Sequence, residues 1–146
     1  MIILEGRKNQ SFLWRIYTEQ DILLFNDQLL TPGKHSMHVP SMVFGRKVLK
    51  TLLVSLNCYT NIAFLSIESY RIEKGDYANL YDHLQKTKAL ESDWSMSKFF
   101  AEEMRYDFLW IEESQELQAL DWYPRFMVSL QDFNVTSTIP IVFLRK

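Results

Sequence analysis

Asp107-Phe-Leu-Trp-Ile-Glu-Glu113 decides the fold: of the five positions from Phe108 to Glu112, four are large and apolar, with no polar alternation among them. A strand covered on both faces has that pattern, and such strands belong to parallel sheets. Downstream, Ser114 predicts an N-cap for a helix carrying Leu117, Leu120, Tyr123, Phe126, Met127 and Leu130. Pro124 falls within it and must kink the helix or split it in two. A second apolar run, Thr138-Ile-Pro-Ile-Val-Phe-Leu-Arg145, follows, and strand, helix and strand together make a β-α-β arrangement. Pro140 has no N–H, so the last strand is either an edge or pairs only beyond it.

Upstream, Ile2 to Leu4 and Phe12 to Tyr17 are β-prone runs around the turn Gly6 to Gln10, which predicts an N-terminal hairpin. Thr18-Glu-Gln-Asp21 has capping-box spacing and predicts a helix that ends before Pro32-Gly33. Two prolines, a glycine and two histidines mark Thr31 to Ser41 as the longest loop. Val43 to Asn57 reads as a helix that buries Val43, Val48, Leu49, Leu52, Leu53 and Leu56 and leaves Arg46, Lys47 and Lys50 outside. Ile62 to Ile67 is another strand without alternation, and Gly75-Asp76 turns into a helix expected to run through Leu90. Ser92 or Ser95 caps a short helix to Met104. The sum is a single domain over residues 1–146: an α/β three-layer sandwich, a mostly parallel sheet with helices on both faces and an N-terminal hairpin.

Composition narrows the function. The formal net charge of -2 supplies no global pull toward nucleic acid. Cys58 is the single cysteine, which excludes an internal disulfide and fits a reducing compartment. Met1-Ile-Ile-Leu meets Glu5 and Gly6 at once and has no basic segment before it, and no apolar run approaches the length of a membrane span. The expectation is a soluble, cytoplasmic protein away from the membrane. The four glycines, at positions 6, 33, 45 and 75, are too dispersed to cradle phosphates, and no cofactor or metal is expected.

The order basic loop and helix (Ser41 to Asn57), acid-ended strand (Ile62 to Glu68), second acid-ended strand (Phe108 to Glu113), helix and strand resembles the core of RecA-like P-loop proteins. In His38-Val-Pro-Ser-Met-Val-Phe-Gly45-Arg-Lys47, however, His38 replaces the first glycine of G-x-x-x-x-G-K-[ST], Arg46 precedes the lysine and Val48 replaces the magnesium hydroxyl. The stretch from Val43 to Arg145 is therefore similar to RecA-like proteins that have lost ATP binding, among them SulA-type cell-division inhibitors and ATPase-less recombinase paralogues. That resemblance implies a degenerate RecA-like core and a non-enzymatic protein that assists DNA repair or cell division through a partner.

The opposing expectation is a small metal-dependent hydrolase or nuclease. Glu112, Glu113 and Glu68 sit at strand carboxyl ends, where open α/β sheets bind ligands, and would hold the metal or act as base. His35 and His38 offer two ring nitrogens that Cys58 or Glu68 would have to complete. His83 reads as a surface residue. Arg7, Lys8, Arg46, Lys47 and Lys50 are the candidate nucleic-acid contacts if the loops gather at one edge. Trp94, Phe99, Phe100, Tyr106 and Trp122 are the candidate protein-partner surface, for a second copy or a different chain. Neighbouring helical phenylalanines lie about 100° apart, so both are not expected to point inward.

Overall fold

A computed structural model of the chain describes residues 2–6, 14–16, 31–56, 59–68, 77–81, 84 and 93–146. The decisive apolar run forms strand β6 (Phe108–Glu112), buried at every position. Around it the chain runs through β1 (Ile2–Gly6), β2 (Trp14–Ile16), β3 (Gly33–His38), α1 (Met42–Leu56), β4 (Ile62–Leu65) and β5 (Tyr77–Asn79). Next come α2 (Asp93–Lys98), a π-helical turn (Phe99–Glu103) and then β6 itself. The chain continues through α3 (Gln115–Gln118), α4 (Tyr123–Asp132), α5 (Val135–Thr138) and β7 (Pro140–Arg145).

The seven strands lie in the order β2-β1-β3-β7-β6-β4-β5. Those from β3 to β5 are mutually parallel, with β6 in the middle of the five, while β1 and β2 form the expected antiparallel hairpin at one end. Alternation of side chains divides the core into two. Phe64, Phe108, Trp110, Val142 and Leu144 face α1 and its buried Leu49, Leu52 and Leu53. Leu65, Leu109, Ile111, Ile141 and Phe143 face the other way, onto Phe99, Phe100, Leu117, Phe126 and Leu130. Helices on both faces of a parallel sheet give the three-layer α/β arrangement that the strand pattern predicts.

Asp107 fixes the register of β4 on β6. Its carboxylate accepts the backbone N–H of Thr60 at 2.8 Å and of Asn61 at 3.0 Å, and the Thr60 hydroxyl at 3.1 Å. Pro124 splits the helix as expected: α3 is capped by Ser114 Oγ accepting from Leu117 N, and α4 restarts with the proline in its first turn, where a missing N–H is harmless. Pro140 opens β7 opposite Gly33 of β3, and pairing with β6 begins at Ile141, so the strand is internal with the proline at its first position.

Several expectations are corrected. The stretch 33–38, read as part of a loop, is β3, because Gly33, Lys34 and Ser36 disguise an alternating strand whose buried side carries His35 and Met37. Tyr77–Asn79 is a strand, and helical structure begins only at Leu80. Helix α1 buries Val48, Leu49, Leu52 and Leu53 as predicted, but in its first turns Val43 is exposed and Arg46 lies toward the sheet. Gly45 accounts for the close helix–sheet approach, since a Cβ there would stand 3.1 to 3.2 Å from Leu144 and Val39 side-chain carbons. The helix expected after Thr18, Cys58 and the basic pair Arg7 and Lys8 lie outside the described residues.

Candidate functional site: an occupied crevice at the sheet's carboxyl edge

The chain leaves β4 toward β5 and leaves β6 toward β7, which lie on opposite sides of that adjacent pair. Between two such strands the connections diverge and open a crevice, the usual ligand site of an open α/β sheet. Four side chains from three elements meet there: Glu112 from the end of β6, Ser66 and Glu68 from the turn after β4, and Arg46 from the first turns of α1.

The Glu112 carboxylate, with 3% of its side chain exposed, is saturated by donors. Arg46 Nε reaches its two oxygens at 2.8 and 2.9 Å, and Arg46 Nη2 donates to Oε1 at 2.6 Å. Ser66 Oγ donates to Oε1 at 3.0 Å and Trp110 Nε1 to Oε2 at 3.2 Å. The side-on fork of a guanidinium against a carboxylate is the strongest geometry for such a pair, and burial makes it decisive. Arg46 Nη2 also donates to Glu68 Oε2 at 2.6 Å, so a guanidinium only 12% exposed bridges a buried and a half-solvated carboxylate. Asn79 holds the turn that carries Glu68: its Oδ1 accepts from Ser66 N, and its Nδ2 donates to the Ser66 and Glu68 carbonyls.

Glu113 takes no part in this cluster. One residue along a strand reverses the side chain, so Glu113 projects to the α4 face. There Arg145 Nε donates to its Oε1 at 2.8 Å and the Tyr123 hydroxyl donates to its Oε2. Arg145 also donates to Ser36 Oγ at 3.0 Å. Burial, reinforced by the hydrogen bond to Glu113 and its negative charge, pushes the Tyr123 phenol well above its ordinary range. The three glutamates expected to share a metal therefore serve two separate networks.

The histidine pair is also corrected. His35 and His38 are three residues apart on a strand and face opposite sides of the sheet, and His35 is buried with Nε2 donating to the Thr31 carbonyl at 3.0 Å. Among the described residues no group of three or more His, Cys, Asp or Glu is arranged to hold a metal ion.

The predicted partner surface does not assemble as an exposed patch. Phe99 and Phe100 are both buried, pack edge-to-face at 5.3 Å and both reach Phe126. The reason is the π-helical turn, in which Met104 N bonds to the Phe99 carbonyl; the underwound helix widens its buried stripe enough to take both rings. Tyr106 and Trp122 are half-buried against the same cluster. Trp94 belongs to α2, and its side chain lies outside the described part. Of the basic candidates within the described residues, Lys47 and Lys50 are exposed on α1, whereas Arg46 is committed to the two glutamates.

Sequence reasoning placed Glu68 and Glu112 correctly at strand ends, but it set Arg46 on an outer, nucleic-acid-facing surface and missed Ser66 and Asn79. A signal existed for Arg46: it lies four residues after Met42 and three before Leu49, on the buried stripe, and a glutamate at the end of an apolar run needs a cation nearby. Comparison with protein-family profiles, curated proteins and solved structures finds no match to this chain. No helix among the described residues is long and apolar enough to cross a membrane.

Proposed function

We propose that the protein is a non-enzymatic interaction module, a RecA-like protein without ATPase activity that works in the cytoplasm through a protein partner in a DNA-repair or cell-division machine. The observation that carries this reading is the Arg46–Glu112 pair: the crevice where an α/β enzyme holds its substrate is filled by the protein's own salt bridge. The connection ahead of α1 adds support. Only residues 39–41 separate β3 from α1, Val39 among them is buried, and Gly45 lies inside the helix. A loop that wraps a triphosphate requires a longer run of free backbone N–H groups. The order of elements from α1 to β7 supports the RecA-like part of the reading.

The hydrolase reading loses its basis when Glu113 parts from Glu112 and Arg46 engages both of the remaining carboxylates. The test is affinity purification of the tagged chain from its native cell after in-cell crosslinking, with quantification of recovered proteins. A partner recovered near one-to-one, with components of a repair or division complex, is the expected outcome. Hydrolysis of a nucleotide or nucleic acid by the purified chain, abolished by Glu112→Gln, would overturn the reading.

A further inference from the structure

Five large apolar side chains stand exposed among the described residues, and three of them, Val43, Phe44 and Val54, belong to α1. At 100° per residue, Val43, Lys47, Lys50 and Val54 fall within about 60° of arc, with Phe44 beside them. The stripe extends about 16 Å along the helix from Val43 to Val54, roughly three turns. Val54 is 72% exposed, Val43 53% and Phe44 40%, and clustered exposed apolar residues mark contact sites where singly scattered ones do not.

The charged residues that α1 itself places on this face, Lys47 and Lys50, have one sign. The first turn of α1 contains no acidic residue, so the positive end of the helix dipole is uncompensated by its own helix. Lys47 and Lys50, both exposed, add two positive charges to the stripe, against a chain that is net negative. The surface is rigidly held, since Arg46 in the same turns is clamped to β6 and Gly45 lets the helix rest close on β7.

We propose that this outward face of α1 docks an acidic amphipathic helix of another protein, with apolar residues along its centre and glutamates or aspartates on its flanks. The inference rests on the interaction-module reading and names its partner class. Val43, Phe44 and Val54 supply a row of apolar contacts that fits one face of a helix of about three to four turns. The lysines select acidic flanks and steer association. A second copy of this chain is the poorer occupant, because a two-fold interface would bring Lys47 and Lys50 against their own symmetry mates. An anionic membrane is poorer too: two lysines contribute only about 1 kcal/mol each at a lipid surface, where recognition relies on clusters of four to eight.

The probe is a synthetic helical peptide of about four turns with leucines on one face and glutamates on both flanks. It is fluorescein-labelled and titrated with the full chain. Its controls are the same peptide with lysine for glutamate, a scrambled peptide, and vesicles containing phosphatidylserine. Saturable binding of the glutamate peptide is expected, weakening with salt, with amide resonance shifts centred on α1. The Lys47→Glu/Lys50→Glu pair and, separately, Val43→Ser/Val54→Ser should each weaken it by about tenfold or more with thermal stability unchanged, since all four side chains are solvated. The charge-reversed variant should prefer the lysine peptide.

Equal affinity for both peptides, resonance shifts away from α1, or binding to the vesicles in place of the peptide would overturn the proposal. So would a dimer in sedimentation that Val54→Ser dissolves, because the face would then be covered by a second copy. Hydrolytic activity of the purified chain would sink the interaction-module reading on its own, independently of which peptide binds.

Discussion

Arg46→Met is the most informative single change in this protein. The substitution keeps the aliphatic stem that packs beneath α1 and removes the guanidinium. It takes the charged partner from the Glu112 carboxylate, 3% exposed, and leaves the donations from Ser66 Oγ at 3.0 Å and Trp110 Nε1 at 3.2 Å in place. Removing one partner of a buried ion pair costs about 3–5 kcal/mol, because the remaining charge stays desolvated. For a domain near this size each kcal/mol lowers Tm by about 2–4 °C, which predicts a fall of roughly 6–20 °C. Two controls separate the parts. Glu68→Gln removes the half-solvated arm, 59% exposed, and should cost at most about 1 kcal/mol. Arg46→Met/Glu112→Leu removes both buried charges and should recover most of the loss, since a buried pair contributes little net stability over an apolar one. Urea titration at neutral pH, with calorimetry for Tm, reads all three. A single Arg46→Met variant within about 1 kcal/mol of wild type would show that the guanidinium is not what satisfies Glu112 and would refute the reasoning.

Trp110 is fully buried and stacks on Phe64 at 4.9 Å, so Trp110→Ala should lose about 3–5 kcal/mol in urea unfolding; a change within error of wild type would remove β6 from the core. The folded protein holds the Tyr123 proton more tightly than the unfolded chain, whose phenol titrates near 10.0. Stability is therefore complete below that pH and is lost as pH rises through it toward the folded value, with Tyr77 and Tyr106, both raised by burial, adding in the same direction. In Tyr123→Phe the alkaline fall in Tm should be shallower, while stability at neutral pH drops by about 1–3 kcal/mol from the lost bond to the Glu113 carboxylate. Gly45→Val places branched carbons where Leu144 and Val39 already stand within 3.2 Å of a Cβ and should cost about 1–3 kcal/mol by overpacking, measured by the same unfolding curves.

The unalternating runs at 62–65 and 108–112 and the apolar tail at 140–145 made the parallel sheet legible, because only strands covered on both faces can be apolar throughout. β3 was hidden because its residues Gly33, Lys34, His35 and Ser36 resemble turn chemistry, and its place between β1 and β7 comes from pairing that no local pattern encodes. Tyr77–Asn79 escaped because three residues are too few for a period. At the carboxyl edge, Glu112 and Glu113 look equivalent in sequence, yet a pleat sends one to Arg46 and the other to Arg145 and Tyr123. Arg46 and Glu112 are 66 residues apart, and their meeting depends on how α1 is rotated over the sheet. The buried stripe of Val48, Leu49, Leu52 and Leu53 was read in the right phase, but in the first turns its apolar residue Val43 lies outside and its cation Arg46 lies inside. The burial of Phe100 alongside Phe99 required a π-helical turn, which composition does not announce.

The central claim is that the crevice between β4 and β6 is closed by the Arg46–Glu112 pair and holds no nucleotide. Its most direct measurement is an equilibrium titration of the purified chain with a fluorescent ATP analogue, with and without magnesium, alongside the Arg46→Met/Glu112→Leu variant. The account predicts no saturable, magnesium-dependent signal from either protein up to about 1 mM, a concentration at which a site of even about 4 kcal/mol would be half filled. Saturable binding to the wild-type chain that requires magnesium, is displaced by unlabelled ATP and is lost in the double variant would contradict it.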